Sequence, residues 1–163
     1  MGDVLKELLR TCVRRGDALI GTSGASLDGV YIDAKSLLGQ PGSRSLVADA
    51  LRATIPSSVS CVVGMGVGGT FATIASDGRA LCILRDGVRS HGLQTPFASY
   101  KPKPHERLWL IDDIYTTGSS LRNMQQILAS TGAHVMGITV LVARSEPTLA
   151  VPVTSLYRID ELL

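Results

Sequence analysis

The residues of this chain best suited to chemistry are two adjacent carboxylates, Asp112 and Asp113, and the small-residue run Thr116-Thr117-Gly118-Ser119-Ser120 that follows them. Leu108-Trp109-Leu110-Ile111 precede the acids, and beyond the run Leu121, Met124, Ile127 and Leu128 recur at helical spacing. That order predicts a buried strand ending in two acids, then a loop whose backbone N–H groups face an anion at a helix N-terminus. Hydroxyl donors and the positive end of the helix dipole reinforce the same anion site. A ligand with hydroxyls at one end and phosphate at the other would suit the pair. With no lysine in the run, it is not a nucleoside-triphosphatase loop.

A second glycine-rich stretch, Gly64-Met65-Gly66-Val67-Gly68-Gly69, follows the apolar Cys61-Val62-Val63. It formally matches the Gly-x-Gly-x-x-Gly dinucleotide fingerprint, and Asp86 ends the next strand. The unit from Cys61 to Asp86 is shorter than the usual ~30 residues, which makes a dinucleotide site the minor reading. Glycines so closely spaced cost backbone entropy, and close approach to a ligand is the better account of them.

The elements that position these stretches follow from periodicity. Val4, Leu8, Leu9 and Val13 predict a helix over residues 3–14 with Asp3 as its cap, ended by Gly16-Asp17. Ala18-Leu19-Ile20 and Val30-Tyr31-Ile32 read as short strands around a small-residue turn. Pro41 opens a helix whose apolar face is Leu46, Val47, Ala50 and Leu51. From residue 60 onward, strand, glycine turn and helix alternate. Strands are expected at 61–63, 80–84, 108–111 and 135–142, with a short strand and a helical turn in 151–163. Residues 85–106 read as a long exposed loop, a length that in compact domains points to function or disorder. Alternation with largely apolar strands predicts a mostly parallel sheet flanked by helices, with ligands at the carboxyl ends of its strands.

Bulk properties narrow the function classes. At 163 residues the chain is expected to form one domain. A net charge of +2 is too small for a general nucleic-acid or membrane binder. Cys12, Cys61 and Cys82 are odd in number and widely spaced, which argues against a disulfide framework or a zinc site and for a reducing cytoplasm. No stretch approaches the roughly 20 apolar residues of a membrane span, and the start lacks a signal peptide's basic residues.

Residues 108–120 resemble the 5-phosphoribosyl 1-diphosphate (PRPP) motif of type I phosphoribosyltransferases: apolar residues, two acids, two further residues, then Thr-Thr-Gly and small residues. More of the chain is similar to the orotate phosphoribosyltransferase branch. Thr22-Ser23-Gly24 with Val30-Tyr31-Ile32-Asp33-x-Lys35 looks like its N-terminal hood segment, and residues 64–69 like its pyrophosphate loop. Arg85-x-x-x-Arg89-x-His91-Gly92 resembles its mobile catalytic loop, and Arg144-x-Glu146 its base-recognition element.

The resemblance implies a type I phosphoribosyltransferase fold in a single domain, with hood elements at about 16–36, a core at about 41–146 and a tail at 147–163. It implies transfer of phosphoribose from PRPP to orotate, giving orotidine 5′-monophosphate and pyrophosphate. Catalysis would involve Arg89, His91 and Asp113. PRPP would be held by Asp112, Asp113, Thr116, Thr117, Gly118, Ser119, Ser120, Gly68, Gly69, Arg85, Arg89 and His91. The base would meet Tyr31, Thr116 and Arg144. Mg²⁺ would arrive on PRPP rather than on a dedicated set of side chains, and the chain would act as a homodimer in the cytoplasm, with no nucleic-acid or membrane partner. Three departures stand out. Asp86 and Arg89 occupy positions where the branch usually has lysines, and arginine cannot release a proton as a lysine can. Ala143 stands where an acid usually precedes the arginine. A different acceptor base, or a PRPP-binding regulatory module without turnover, are the alternatives.

Overall fold

The computed structural model describes residues 3–15, 29–87 and 95–163. Five strands form one wholly parallel sheet: β3 (Cys61–Met65), β4 (Ala80–Leu84), β5 (Arg107–Tyr115), β6 (His134–Ala143) and β7 (Val153–Arg158), in spatial order β4-β3-β5-β6-β7. A separate antiparallel pair joins β1 (Val13–Arg15) to β2 (Val30–Ile32). The helices are α1 (Val4–Thr11), α2 (Pro41–Arg52), α3 (Gly66–Ala75) and α4 (Ser119–Ala129), with a 3-10 segment at Ala34–Gly39.

The expected mostly parallel sheet is therefore present, and its faces are filled by two apolar layers. Leu9, Leu51, Phe71, Val62, Trp109 and Ile111 bring α1, α2 and α3 onto one face. Leu121, Met124 and Leu128 of α4 meet Val63, Leu108, Leu110 and Ile138 on the other. Alternation along β5 divides Trp109 and Ile111 from Leu108 and Leu110, as strand geometry requires. No described helix is long and apolar enough to cross a membrane.

Trp109 needs room that only a glycine opposite it allows. Its Nε1 donates to Thr139 Oγ1 at 2.9 Å, and a Cβ on Gly137, its partner on β6, would lie 2.5 Å from the indole ring. Gly137→Ala is expected to destabilise the fold by about 1–3 kcal/mol, the usual cost of overpacking, read as a lower urea midpoint. An unchanged midpoint would mean that the ring relocates freely.

Several sequence expectations change. The first helix stops at Thr11 rather than near Gly16, because Val13, Arg14 and Arg15 pair with Ile32, Tyr31 and Val30. Asp3 does cap it, accepting from the Lys6 N–H at 3.1 Å. Ala18-Leu19-Ile20 and Thr22-Ser23-Gly24 lie outside the described residues. On α2, Val47, Ala48 and Leu51 are buried while Leu46 faces outward. Residues 64–69 are not a turn: Gly64 and Met65 finish β3, and Gly66 begins α3 with φ at +56°. The segment 95–106 is not simply exposed. Phe97 is buried and bridges to Leu84, and Ser99 Oγ accepts from the Ile83 N–H and donates to the Leu81 carbonyl along the outer edge of β4.

Candidate active site

The sheet's order changes direction between β3 and β5: β3 leads outward to β4, the chain then crosses back to β5, and β6 and β7 continue the other way. Such a switch point opens a crevice at the strand carboxyl ends, where ligands of open α/β sheets bind. Pairing between β3 and β5 ends at Val63 with Leu110, after which β3 turns into α3. Pairing of β5 with β6 continues to Tyr115 with Ala143. Asp112 and Asp113 thus lie within the strand rather than after it, on a stretch that β6 alone supports.

α3 rises so close to β3 that side chains are excluded between them. A Cβ on Gly64 would meet the Gly68 carbonyl at 2.6 Å, and one on Gly68 would meet Asp112 Oδ1 at the same 2.6 Å. The first turn of α3 therefore lies directly against the acid, with its unsatisfied N–H groups beside the crevice. On Gly69 a Cβ would meet the Ile83 side chain at 3.3 Å and the Gly64 backbone at an ordinary 3.8 Å.

Asp112 is buried and its Oδ1 accepts the Asp113 N–H at 3.0 Å; Asp113 is half-buried, and its Oδ1 accepts the Ile114 N–H at 3.0 Å. Burial, then the neighbouring Asp113 and the more distant Asp86, push the Asp112 carboxyl well above its ordinary range. Ligand hydroxyls or a cation placed beside it would favour its charged form.

After β5 the chain forms the expected anion loop. A cavity of about 230 Å³ is lined by Asp112, by Ile114 and Tyr115, by Thr116, Thr117, Gly118, Ser119 and Ser120, and by Leu121. Gly118 caps α4 in the left-handed region, with φ at +75°, and offers no side chain to the first N–H groups of the helix. Thr117 Oγ1 lies 2.6 Å from Ser119 Oγ, and Arg122 Nη2 donates to the Thr117 carbonyl. These contacts shape the loop, and the helix N-terminus favours an anion within it.

The structure thus gathers Asp112, Thr116, Thr117, Gly118, Ser119 and Ser120 around one cavity, with Asp113 adjoining and Gly68 against Asp112. Arg85 braces the base of the 85–97 segment, its Nη1 donating to the Thr95 and Phe97 carbonyls at 3.0 and 2.9 Å. Tyr31 lies on β2, paired with Arg14, and is not among the residues lining the cavity. Arg144 follows β6, and its N–H donates to the Tyr115 carbonyl at 2.9 Å. Its neighbour Glu146 is engaged by Arg158, at 2.7 Å. Arg89 and His91 lie outside the described residues. Tyr115, Arg122 and Ser145 are structural partners of the loop that sequence reasoning did not single out; the only local sign was Arg122 one turn into the helix behind a glycine-rich run.

A parallel sheet with an acid pair and a helix-capped anion loop at its crossover is the architecture of the type I phosphoribosyltransferase fold. The orotate phosphoribosyltransferase of Aeropyrum pernix has a crystal structure that superposes with a TM-score of 0.80 at 29% identity, over 97% of this chain and 95% of that one. By sequence, the Aeropyrum pernix enzyme is 32% identical over 154 residues, covering 90% of this chain and 81% of its own. The orotate phosphoribosyltransferase of Methanosarcina acetivorans is 30% identical over 144 residues, or 85% and 75% of the two chains. No family model matches the chain. The chain belongs to the orotate phosphoribosyltransferase family.

Proposed function

We infer that this chain is a PRPP-dependent orotate phosphoribosyltransferase, forming orotidine 5′-monophosphate and pyrophosphate. The observation that carries the reading is the juxtaposition of Asp112, the bare N-terminus of α3 and the 116–120 loop around one crevice. Each matches one part of PRPP. The 116–120 loop and the first N–H groups of α4 would take the 5′-phosphate. Asp112 and Asp113 would accept hydrogen bonds from the ribose hydroxyls, and Gly68 and Gly69 at the start of α3 would face the pyrophosphate. Tyr31, Thr116 and Arg144 would meet the base.

Transfer breaks the C1–pyrophosphate bond and forms a bond from C1 to a base nitrogen through an oxocarbenium-like state. The protein's part is to orient the two partners and to stabilise the charge that develops as pyrophosphate leaves. The buried Asp112 with Asp113 holds the ribose still while charge gathers at C1. Arg85, Arg89 and His91 are the cations assigned to the departing pyrophosphate. Arg89 is suited to a bidentate clamp, while His91 can move a proton near neutral pH.

Mg²⁺ fits this site as a companion of the ligand. The described residues contain no group of three or more acidic, histidine or cysteine side chains able to hold a metal. Yet Asp112 carries an uncompensated repulsion from Asp113 and Asp86. A cation carried on the ligand beside Asp112 and Asp113 would offset that repulsion, and when bound Mg²⁺ would neutralise pyrophosphate charge. A homodimer and a cytoplasmic setting belong to the same proposal. The three cysteines, Cys12, Cys61 and Cys82, are free and buried, in keeping with that setting; sedimentation tests the dimer.

Incubation with PRPP, Mg²⁺ and orotate is expected to yield orotidine monophosphate, and no product at high enzyme concentration would overturn the assignment. A second reading, transfer to another heterocycle, draws on Ala143, which is buried between Tyr115 and Arg158 and places no polar group beside Arg144. A panel of bases in the same assay separates the two. Arg89→Ala is expected to lower kcat about tenfold with a smaller change in PRPP affinity, the loss of a charge-assisted contact made in the transition state. A loss confined to affinity would contradict that role.

A further inference from the structure

The segment that follows β6 is fastened to the anion loop at three points. The Arg144 N–H donates to the Tyr115 carbonyl at 2.9 Å, Ser145 Oγ donates to the Thr116 carbonyl at 2.6 Å, and the Thr148 N–H donates to the Tyr115 phenolic oxygen at 3.1 Å. The first joins two backbone groups, the second uses the Ser145 hydroxyl, and the third depends on the Tyr115 phenol. Tyr115 is itself immobilised: it is 2% exposed, and its ring packs so closely on Gly118 that a Cβ there would lie 2.8 Å from Cε2.

The same tyrosine therefore touches both halves of the site. Its ring forms the floor under Gly118, the residue that starts α4 and shapes the phosphate loop. Its oxygen holds the far end of a segment that carries Arg144. Donation from the Thr148 amide, against the effect of burial, keeps the phenol's pKa below its ordinary value, and the Arg122 guanidinium that binds the Thr117 carbonyl adds to this. From the outer side, Glu146 of the same segment is held by Arg158 at 2.7 Å, an exposed pair that limits the segment's excursion without touching the loop.

We propose that Tyr115 is a positioning residue for acceptor recognition: through the Thr148 amide it sets residues 144–148, and with them Arg144, relative to the 5′-phosphate loop. The proposal rests on the assignment of Arg144 to the base. It predicts that the phenolic oxygen, which also faces the Arg122 guanidinium, matters more to the acceptor than to the donor, although the tyrosine packs against the donor's loop. In Tyr115→Phe the ring stays against Gly118 and only the oxygen is lost. The acceptor KM is expected to rise roughly two- to tenfold, the worth of one hydrogen bond, with PRPP KM within about twofold of the native value. Thr148→Pro removes the same bond from the other side, in a stretch without regular backbone pairing, and should reproduce the effect. Combining the two should add little, since both act on one contact.

Kinetics of the full chain with PRPP, Mg²⁺ and orotate, or the base that the panel selects, read the first arm. The second arm needs no substrate: the Thr148 amide should exchange slowly with solvent in the native chain and at least several-fold faster in Tyr115→Phe. A native chain inert toward orotate would remove the functional assignment, while the exchange arm would still decide whether Tyr115 orders the segment. Unchanged Thr148 exchange overturns the proposal. So does an equal rise in the KM of donor and acceptor, or full additivity of the two variants.

Discussion

Gly68→Ala is expected to lower kcat/KM for PRPP by about a hundredfold, the penalty for displacing a reacting group by about 1 Å. The added methyl would fall 2.6 Å from Asp112 Oδ1 and 3.0 Å from the Ile111 carbonyl. Neither can retreat without moving the strand or the carboxylate assigned to the ribose. The clash costs stability as well, offset in part by the roughly 1 kcal/mol that alanine gains over glycine in a helix. Turnover should therefore fall far more than the melting temperature. Gly42→Ala, in the first turn of α2, supplies the control: a Cβ there would meet no described atom within 4 Å, and the residue has no part in the site. Steady-state kinetics on both variants, with thermal melts alongside, would decide. Equal kinetics in the two would mean that the approach of α3 to Asp112 has no bearing on turnover.

Asp112→Asn should make the unliganded chain more stable and a poorer enzyme. The carboxyl's folded-state pKa is raised, with burial as the leading cause and Asp113 next. Below the ordinary value, near 3.8, both folded and unfolded states are protonated and the group has no effect on stability. As pH rises beyond it, the unfolded chain ionises first, and the folded chain loses stability until its own raised pKa is passed. At neutral pH the native protein carries that penalty, and asparagine does not. The Tm of the variant is expected to exceed that of the native chain at pH 7, with the gap closing as pH falls toward 4. Asparagine still accepts the Asp113 N–H, so the local turn survives. Binding of PRPP with Mg²⁺ should weaken roughly ten- to a hundredfold, from loss of charge-assisted hydrogen bonds worth about 1.5–3 kcal/mol. A lower Tm with undiminished binding would contradict both the cost and the role.

The two variants probe one design from opposite sides. A glycine-rich helix start and a buried acid each weaken the free protein, and together they make a surface that a hydroxylated, phosphorylated ligand would complete. Ligand binding to the folded state alone would return that stability by mass action, a shift visible as a rise in Tm with PRPP concentration.

Local patterns made much of the fold legible. Apolar runs marked β3, β4, β5 and β6, helical spacing marked α4, and Pro41 marked the start of α2. These are the signals that depend on neighbours along the chain. The errors lie where distant residues intervene. Val13 left its helix to pair with Ile32, and β5 ran past its acids because β6 was present to pair with them. Leu46 faces outward because it lies about 100° around the helix from Val47 and farther from Leu51.

By itself, the sequence determined one contiguous stretch of the candidate site: an apolar run, two acids, then a small-residue loop entering a helix, an order that neighbours along the chain are enough to set. Only the tertiary structure decided that Asp112 is buried against Gly68, and that Tyr115 holds the Thr148 amide. It also decided that Glu146 is engaged by Arg158. The reason is physical. Burial and hydrogen-bond partnership are set by whichever groups the crossover from β4 to β5 and the return through β6 bring within a few ångströms, and no local pattern records that distance.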